Sequence, residues 1–377
     1  MRCVAASAVA VVVLSLAGGL LGTAAGAAST PSAKGVSAGP TDSCALLSSG
    51  AVQCWGYNSN GLLGNGTTKD SLTPVVVKGI SGARAVSVGT DDICALLSGG
   101  TVKCWGVNTE GQLGNGTTSV YLSLTPVAVK GLSGVTAISA GDDNACALLS
   151  GGTLKCWGLN SLGGLGNGTT TNASTPVVVK GIRTARAVSV GGLDGCALLS
   201  GGTVKCWGAG ALGNGTTTNS STPVAVKGIT TATAVSTGPT ASCALLSAGT
   251  IQCWGKDAYG QQSLTPVTVP GITTAKSVSA AAFLSTLDTC ALLSGGTIDC
   301  WGSNTSGELG NGTISIVTPN PVTVSGISTA TEVSTGGSGT CALLSGGTVK
   351  CWGIGSYDRL GNGTYADSST PVVVRLR

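Results

Sequence analysis

A segment close to Cys-Ala-Leu-Leu-Ser-Gly-Gly-Thr-Val-Lys-Cys-Trp-Gly recurs seven times in this 377-residue chain, each copy with two cysteines ten positions apart. The pairs are Cys44/Cys54, Cys94/Cys104, Cys146/Cys156, Cys196/Cys206, Cys243/Cys253, Cys290/Cys300 and Cys341/Cys351. The tryptophans that follow, Trp55, Trp105, Trp157, Trp207, Trp254, Trp301 and Trp352, set a period of 47 to 52 residues. Periods of this length belong to propellers and solenoids, whose units bury their apolar faces only against one another. The chain must therefore stack copies of one small unit.

Each period carries four short segments of β character, most easily seen in the second copy. Ala85 to Val88 alternates small and apolar residues, Cys94 to Leu97 follows a polar loop, Thr101 to Trp105 returns after Ser98-Gly99-Gly100, and Pro126 to Lys130 closes the unit. Four strands per unit, with no helical periodicity, predict an all-β, seven-bladed β-propeller of four-stranded blades. Pro74, Pro126, Pro176, Pro223, Pro266, Pro321 and Pro371 open the last segment of each unit. That position suits an outer edge strand, where a missing N–H costs little. An open solenoid is the alternative, but it would want polar capping repeats that the chain lacks.

A three-residue turn at Ser98-Gly99-Gly100 sets Leu96 opposite Val102 and Cys94 opposite Cys104, with glycine at the turn position that takes a left-handed backbone. Opposed cysteines on one face of a hairpin are close enough to bond, so one intrablade disulfide is expected in each of the seven blades. Closing so short a loop stabilises by about 2.5 to 3 kcal/mol in the chain-entropy account. The competing use, thiolate metal binding, usually shows Cys-x2-Cys knuckles and often histidine. The chain has neither, and no metal or cofactor is expected.

Fifteen cysteines would be unusual in a reducing compartment. The N-terminus points to export. Arg2 precedes an apolar run from Val9 to Leu21, and Ala25-Gly26-Ala27 has the small-x-small pattern of a cleavage site, so residues 1–27 read as a secretory signal peptide. The run is too short to span a bilayer. Residues 28–34 read as a linker and 35–377 as the propeller, with Cys3 leaving with the signal and fourteen cysteines remaining, all paired. Charged residues make up only 9% of the chain, which gives no footprint for nucleic acid. Histidine is absent, which removes Ser-His-Asp triads and imidazole bases from consideration.

The run Gly-Thr-Val-Lys-Cys-Trp-Gly-Val-Asn-Thr-Glu-Gly-Gln-Leu-Gly-Asn-Gly from Gly100 to Gly116, followed by Thr125-Pro126-Val127, resembles the repeat of the regulator of chromosome condensation family. The resemblance recurs in all seven units and implies a seven-bladed propeller. Repeats of that family commonly carry histidine before the Ala-Leu of the second strand, where this chain has cysteine in every copy. The family's namesake is a nuclear exchange factor for a small GTPase that also binds chromatin, a role unsuited to an exported, weakly charged chain. Exported bacterial members of the superfamily include a beta-lactamase inhibitory protein on the same architecture.

Features that recur from blade to blade read as scaffold. The Trp-Gly steps are packing residues, and the six Leu-Gly-Asn-Gly-Thr loops beginning at Leu63, Leu113, Leu165, Leu212, Leu309 and Leu360 are tight turns, since no phosphate-loop Lys-Ser/Thr follows. Asp91/Asp92, Asp142/Asp143, Asp42, Asp194 and Asp288 lie between first and second segments. Paired carboxylates there could bind calcium or do acid-base work, but the plainer reading is solvated loop residues. Departures from the repeat say more, because packing does not require them. Blade five replaces its Leu-Gly-Asn-Gly-Thr loop by Lys256 to Gln262, blade six inserts Ala281 to Leu287 with Phe283, blade seven carries Tyr357, Asp358, Arg359 and Tyr365, and blade two adds Tyr121. Aromatic and arginine side chains on irregular loops are the usual anchors of protein interfaces.

The expected protein is therefore a secreted, monomeric, non-enzymatic protein-binding propeller. Its partner would be an extracellular or cell-surface protein, bound by loops at one end of the ring with Tyr259, Phe283, Tyr357, Arg359 and Tyr365 as anchors. The alternatives are an inhibitor of an extracellular enzyme and a carbohydrate-active or other hydrolytic enzyme on a propeller scaffold.

Overall fold

The computed structural model of the protein describes residues 31–118, 121–256, 261–283, 286–356 and 359–377. The expected signal peptide lies outside them. The described residues form seven four-stranded antiparallel sheets, each built from four consecutive strands. In blade two these are Ala83–Val88, Asp92–Leu97, Val102–Val107 and Leu122–Ala128. The first strand of each blade packs on the first strand of the next, and Ala33–Ala38 of blade one meets Ala330–Thr335 of blade seven, which closes the ring. The first strand begins at Ala33, within the stretch expected to be linker.

The hairpin register is the one the spacing demands. Cys94 pairs with Cys104 and Leu96 with Val102, and Gly100 takes φ +70° at the third turn position. The same opposition holds in every blade, and all seven bridges are formed. They are Cys44–Cys54, Cys94–Cys104, Cys146–Cys156, Cys196–Cys206, Cys243–Cys253, Cys290–Cys300 and Cys341–Cys351, with Cα–Cα separations of 4.0 to 4.1 Å.

The bridges do more than the hairpin staples expected from the spacing, because their sulfurs also face the neighbouring blade. Cys44 and Cys54 share a core cluster with Trp105, Cys94 and Cys104 with Trp157, and Cys146 and Cys156 with Trp207. Cys196 and Cys206 pack in the cluster of Trp254, Cys290 and Cys300 in that of Trp352, and Cys341 and Cys351 in that of Trp55. The third-strand members Cys54, Cys104, Cys156, Cys206, Cys300 and Cys351 are accordingly sealed, at 0 to 1% exposure. The sequence reading missed this second role. Register shows which cysteines oppose each other, but which blade their face meets depends on how the blades stack.

The prolines do not open the fourth strands, as the sequence suggested. Pro126 sits inside Leu122–Ala128, at a bulge where the ladder jumps from Cys104↔Val127 to Gly106↔Ser123. Because the bulge leaves this residue out of the pairing, its missing N–H breaks no ladder bond. The insertion in blade six is likewise no irregular loop. It lengthens the first hairpin, with Ala281 paired to Asp288 and Phe283 to Thr286, since a run of small residues continues the extended backbone without a turn signal.

Neighbouring blades are joined by a recurring interlock. The Leu-Gly-Asn-Gly loop after the third strand reaches over the tryptophan of the next blade, and the indole N–H donates to the carbonyl just before the leucine. These bonds run from Trp55 to Arg359, Trp105 to Leu62, Trp157 to Gln112, Trp207 to Gly164 and Trp352 to Glu308, at 2.7 to 2.9 Å. The glycine after the leucine lies flat on the ring. A Cβ on Gly64, which has φ +60°, would come within 2.9 Å of Trp105 Nε1 and 2.8 Å of Val77. The loop's second glycine then donates to a carbonyl in the next blade's fourth strand, as Gly116 does to Ser174 at 2.8 Å. Leu113 and its counterparts are buried, so each loop is a wedge that seals one blade to the next.

Blade four has a shorter loop, with four residues between Trp207 and Leu212 where blade two has seven between Trp105 and Leu113. Its glycine still covers Trp254, but the indole N–H is buried without a partner, because the shortened loop does not bring a carbonyl to it.

Candidate binding face

In each blade the connection from first to second strand and the connection from third to fourth strand lie at one end of the ring, because successive strands reverse direction. The Ser-Gly-Gly turns lie at the other end. The first end carries nearly everything that varies between blades.

Its inner part is acidic. Asp91, Asp142 and Asp143 of blades two and three are partly exposed there, and Asp142 lines a cavity of about 90 Å3 on the ring axis. Asn60 Nδ2 donates to Asp91 at 3.2 Å, Thr90 Oγ1 to Asp142 at 2.6 Å and Gln112 Nε2 to Asp143 at 3.1 Å. Burial and the neighbouring charges of Asp91, Asp142 and Glu110 push Asp143 up to about 6. Asp91 and Asp142 are raised in the same direction, chiefly by burial.

Beneath this layer the structure corrects the sequence reading. Asp42, Asp92 and Asp288 are not solvated loop residues. They sit two positions before the first cysteine of their blades, begin or lie within the second strands and are fully buried, at 0 to 1% exposure. The reason is register: each pairs with the glycine after the tryptophan, so the ladder carries the aspartate inward. Burial raises Asp42 and Asp288 to about 8 and Asp92 well above the carboxylate range. Asp194, at the same place in blade four, is also raised well above it, by burial and by Asp142. Blade three has Asn144 at this position, an amide of nearly the same shape.

Asp92 Oδ2 lies 3.6 Å from Cys94 Sγ, and because a bridged sulfur carries no hydrogen, a hydrogen bond here requires the carboxyl to be the donor. Asp92, Cys94 and Cys104 are the one trio of ligand-type side chains gathered within 4.8 Å among the described residues. Bonding between the two sulfurs withdraws the thiolates a metal would need.

The outer part of the same end carries individual exposed apolar side chains. Tyr121, Leu162, Ile314 and Tyr365 stand in the third-to-fourth connections of blades two, three, six and seven, and Ile316 follows at the start of a fourth strand. Ile316 is 81% exposed and Tyr365 is 67% exposed. Of the five residues expected as anchors, Tyr365 is in this group. Arg359 is only partly exposed, its carbonyl accepts the Trp55 indole, and its charge lowers the Asp42 carboxyl. Phe283 ends the lengthened first strand of blade six. Tyr259 and Tyr357 lie outside the described residues. Leu162, Ile314 and Ile316 were missed, since single aliphatic residues in a polar loop carry no periodic signal. Exposed valines form a second group, Val76, Val178, Val267 and Val373, on the outer rim of the fourth strands.

Two sequence profiles, each described as the regulator of chromosome condensation repeat, match this chain. One matches residues 49–96, 99–148, 152–198 and 296–343, the other 33–62, 83–112, 135–163, 232–261 and 330–359. The chain belongs to the regulator of chromosome condensation repeat family. Solved structures share the fold. Human WBSCR16 is 19% identical, with 86% of this chain and 94% of that chain covered and a TM-score of 0.76. Prp20p of Saccharomyces cerevisiae, whose binding to Gsp1p and histones has been characterised, is 21% identical over 90% of this chain and 87% of its own, with a TM-score of 0.75. The ectodomain of the Physcomitrella patens receptor kinase CR4 matches at 21% identity over 86% of this chain and 74% of its own, with a TM-score of 0.55. At such identities the likeness is one of fold. Every blade of the present chain carries its own disulfide. Among the described residues no helix is long and apolar enough to cross a membrane.

Proposed function

We propose that this chain is a non-enzymatic protein-binding propeller of an oxidising, extracellular compartment, and that it binds its partner with the loop end of the ring. The observation that carries this reading is the set of exposed large apolar side chains at one end of the molecule, Tyr121, Leu162, Ile314 and Tyr365 on third-to-fourth connections and Ile316 at the start of a fourth strand. Aromatic and aliphatic groups held out by rigid turns bury large area at small cost in entropy. Prp20p is a structural relative known for protein binding. The closed bridges of all seven blades suit export, because such bonds persist where thiols are not kept reduced. Catalysis is disfavoured by the placement of Asp92, which lies beneath the surface beside its disulfide and does not share a cleft with Asp91.

The test is affinity capture from culture supernatant with the purified protein, followed by cross-linking to locate the contact. Ile316→Ser and Tyr365→Ser should each weaken capture by tenfold or more, whereas Val76→Ser on the outer rim should leave it unchanged. Equal loss from rim and loop variants would move the interface elsewhere. Turnover of a glycan or peptide substrate that vanished in Asp91→Asn would replace the reading with an enzymatic one.

A further inference from the structure

Blade five lacks the Leu-Gly-Asn-Gly sequence of the wedge loop, and the groups that the loop touches elsewhere are altered together. Trp301, the tryptophan that this loop would cover, is the one of the seven left partly exposed, whereas the other six are 0 to 2% exposed. No carbonyl among the described residues accepts its indole N–H. In the other blades the amide of Lys78, Lys130, Lys180, Lys227, Ser325 or Arg375 anchors the loop by donating to its first glycine at 2.9 to 3.0 Å. Blade five has Pro270 at that position, which has no N–H to leave unpaired. Pro319 of blade six stands where Ser174 and its counterparts present a carbonyl to the loop's second glycine, and no amide of blade five reaches it among the described residues.

What remains is a slot of about 300 Å3 between blades five and six, walled by Trp254, Trp301, Val267, Val269, Pro319 and the Cys253 side of a disulfide. Lys256, Gln261 and Gln262 stand at its loop end. The volume is at the small end of the range for ligand sites.

We propose that this slot is a peptide-binding site that takes a leucine-bearing turn of a partner polypeptide, in the pose that five of the chain's own loops adopt at other blade junctions. The leucine side chain lies on the Trp301 ring, the carbonyl before it accepts the Trp301 N–H, and the amide three residues after it donates to the Pro319 carbonyl. Gln112 and Gly116 make these same two bonds to Trp157 and Ser174, at 2.8 Å each. An apolar small molecule of equal volume would leave the indole donor and the proline carbonyl unpaired, which favours a polypeptide. The proposal rests on the reading of the protein as a protein-binding module and names the chemistry of the partner's anchor.

The probe is a cyclic peptide carrying Gly-Gln-Leu-Gly-Asn-Gly-Thr, the chain's own residues 111 to 117, added to the purified protein. The readout is the set of indole N–H resonances, with that of Trp301 assigned from Trp301→Phe. The Trp301 resonance should shift saturably, and the peptide with serine in place of leucine should bind at least tenfold more weakly. Replacing residues 256–261 by residues 107–117 should fill the slot, raise the Tm by several degrees and abolish the peptide response; this second variant keeps the test valid if Trp301→Phe does not fold. Equal binding of the leucine and serine peptides, or a shift that spares Trp301, would overturn the proposal. So would a Trp301 resonance that moves on Tyr259→Ser without peptide and ignores the peptide, since the chain's own segment would then occupy the slot. Peptide binding at Trp301 without any captured protein would leave the slot standing and count against the wider reading of function.

Discussion

The indole N–H of Trp55 donates to the Arg359 carbonyl at 2.9 Å and so joins the first blade to the last. No strand is shared across this seam, because blade one and blade seven are each complete in themselves. The seam is reinforced by Val36 N–H donating to Glu332 Oε2 at 3.2 Å and by hydrogen bonds between Gln53 and the backbone of Arg377. Trp55→Phe removes the donor but keeps most of the packing, and should lower stability by about 1 kcal/mol in denaturant unfolding. Trp55→Ala should cost about 3 to 5 kcal/mol. A Trp55→Phe protein as stable as the wild type would mean that the seam bond contributes nothing net.

Stability should fall as pH rises from about 4 to about 8. Asp42 and Asp288 are raised by burial from 3.8 to about 8, and Glu332 from 4.5 to about 7. The folded state thus holds these protons more tightly than the unfolded chain, so their stabilising effect is whole below the unfolded values and is lost as pH passes the folded ones. Asp288→Asn, which copies the amide that blade three has at Asn144, should raise the Tm at pH 8 by about 2 °C or more and change it little at pH 4. A Tm that climbs between pH 5 and 8 in the wild type would contradict the burial of these carboxyls.

The seven bridges should be unequal towards reductant. Among the disulfide cysteines only Cys253 keeps part of its surface open, because it borders the slot beside Trp301. Its counterparts Cys54, Cys156, Cys206, Cys300 and Cys351 are covered by the next blade. Mild reduction followed by alkylation and mass spectrometry should label Cys243 and Cys253 first. Without reductant, the intact mass should lie about 14 Da below that of the fully reduced chain, two hydrogens for each bridge. Free thiols in the denatured, unreduced protein would contradict the bridge in every blade.

Gly64→Ala should destabilise by about 1 to 3 kcal/mol. The new methyl meets the Trp105 ring and Val77, and the backbone there has a positive φ. Ala at Gly99, which has nothing within 4 Å and no positive φ, is the matched control and should be nearly silent in thermal unfolding.

Local rules carried much of this fold. The ten-residue cysteine spacing around Ser98-Gly99-Gly100 determines register, and register determines that Cys94 faces Cys104. Pro126 was legible as an edge residue but not as a bulge residue, since a bulge depends on how two strands are offset across the sheet. Asp92 was misread because polarity is a property of the residue while burial is a property of the ladder it joins. Ile316 escaped notice because exposure of one aliphatic side chain leaves no pattern along the chain.

The repeated cysteine-tryptophan segment by itself determined the number of blades, their strands and their bridges, because hairpin register is decided by neighbours a few residues apart. The wedging of each Leu-Gly-Asn-Gly loop onto the next blade's indole could be seen only in three dimensions, since it joins residues more than forty positions apart. The same holds for the gap at Trp301. The replacement of the Leu-Gly-Asn-Gly sequence in blade five is visible in the chain, but that a tryptophan of blade six is the group it leaves partly exposed follows only from the closed ring, in which each blade is completed by its neighbour.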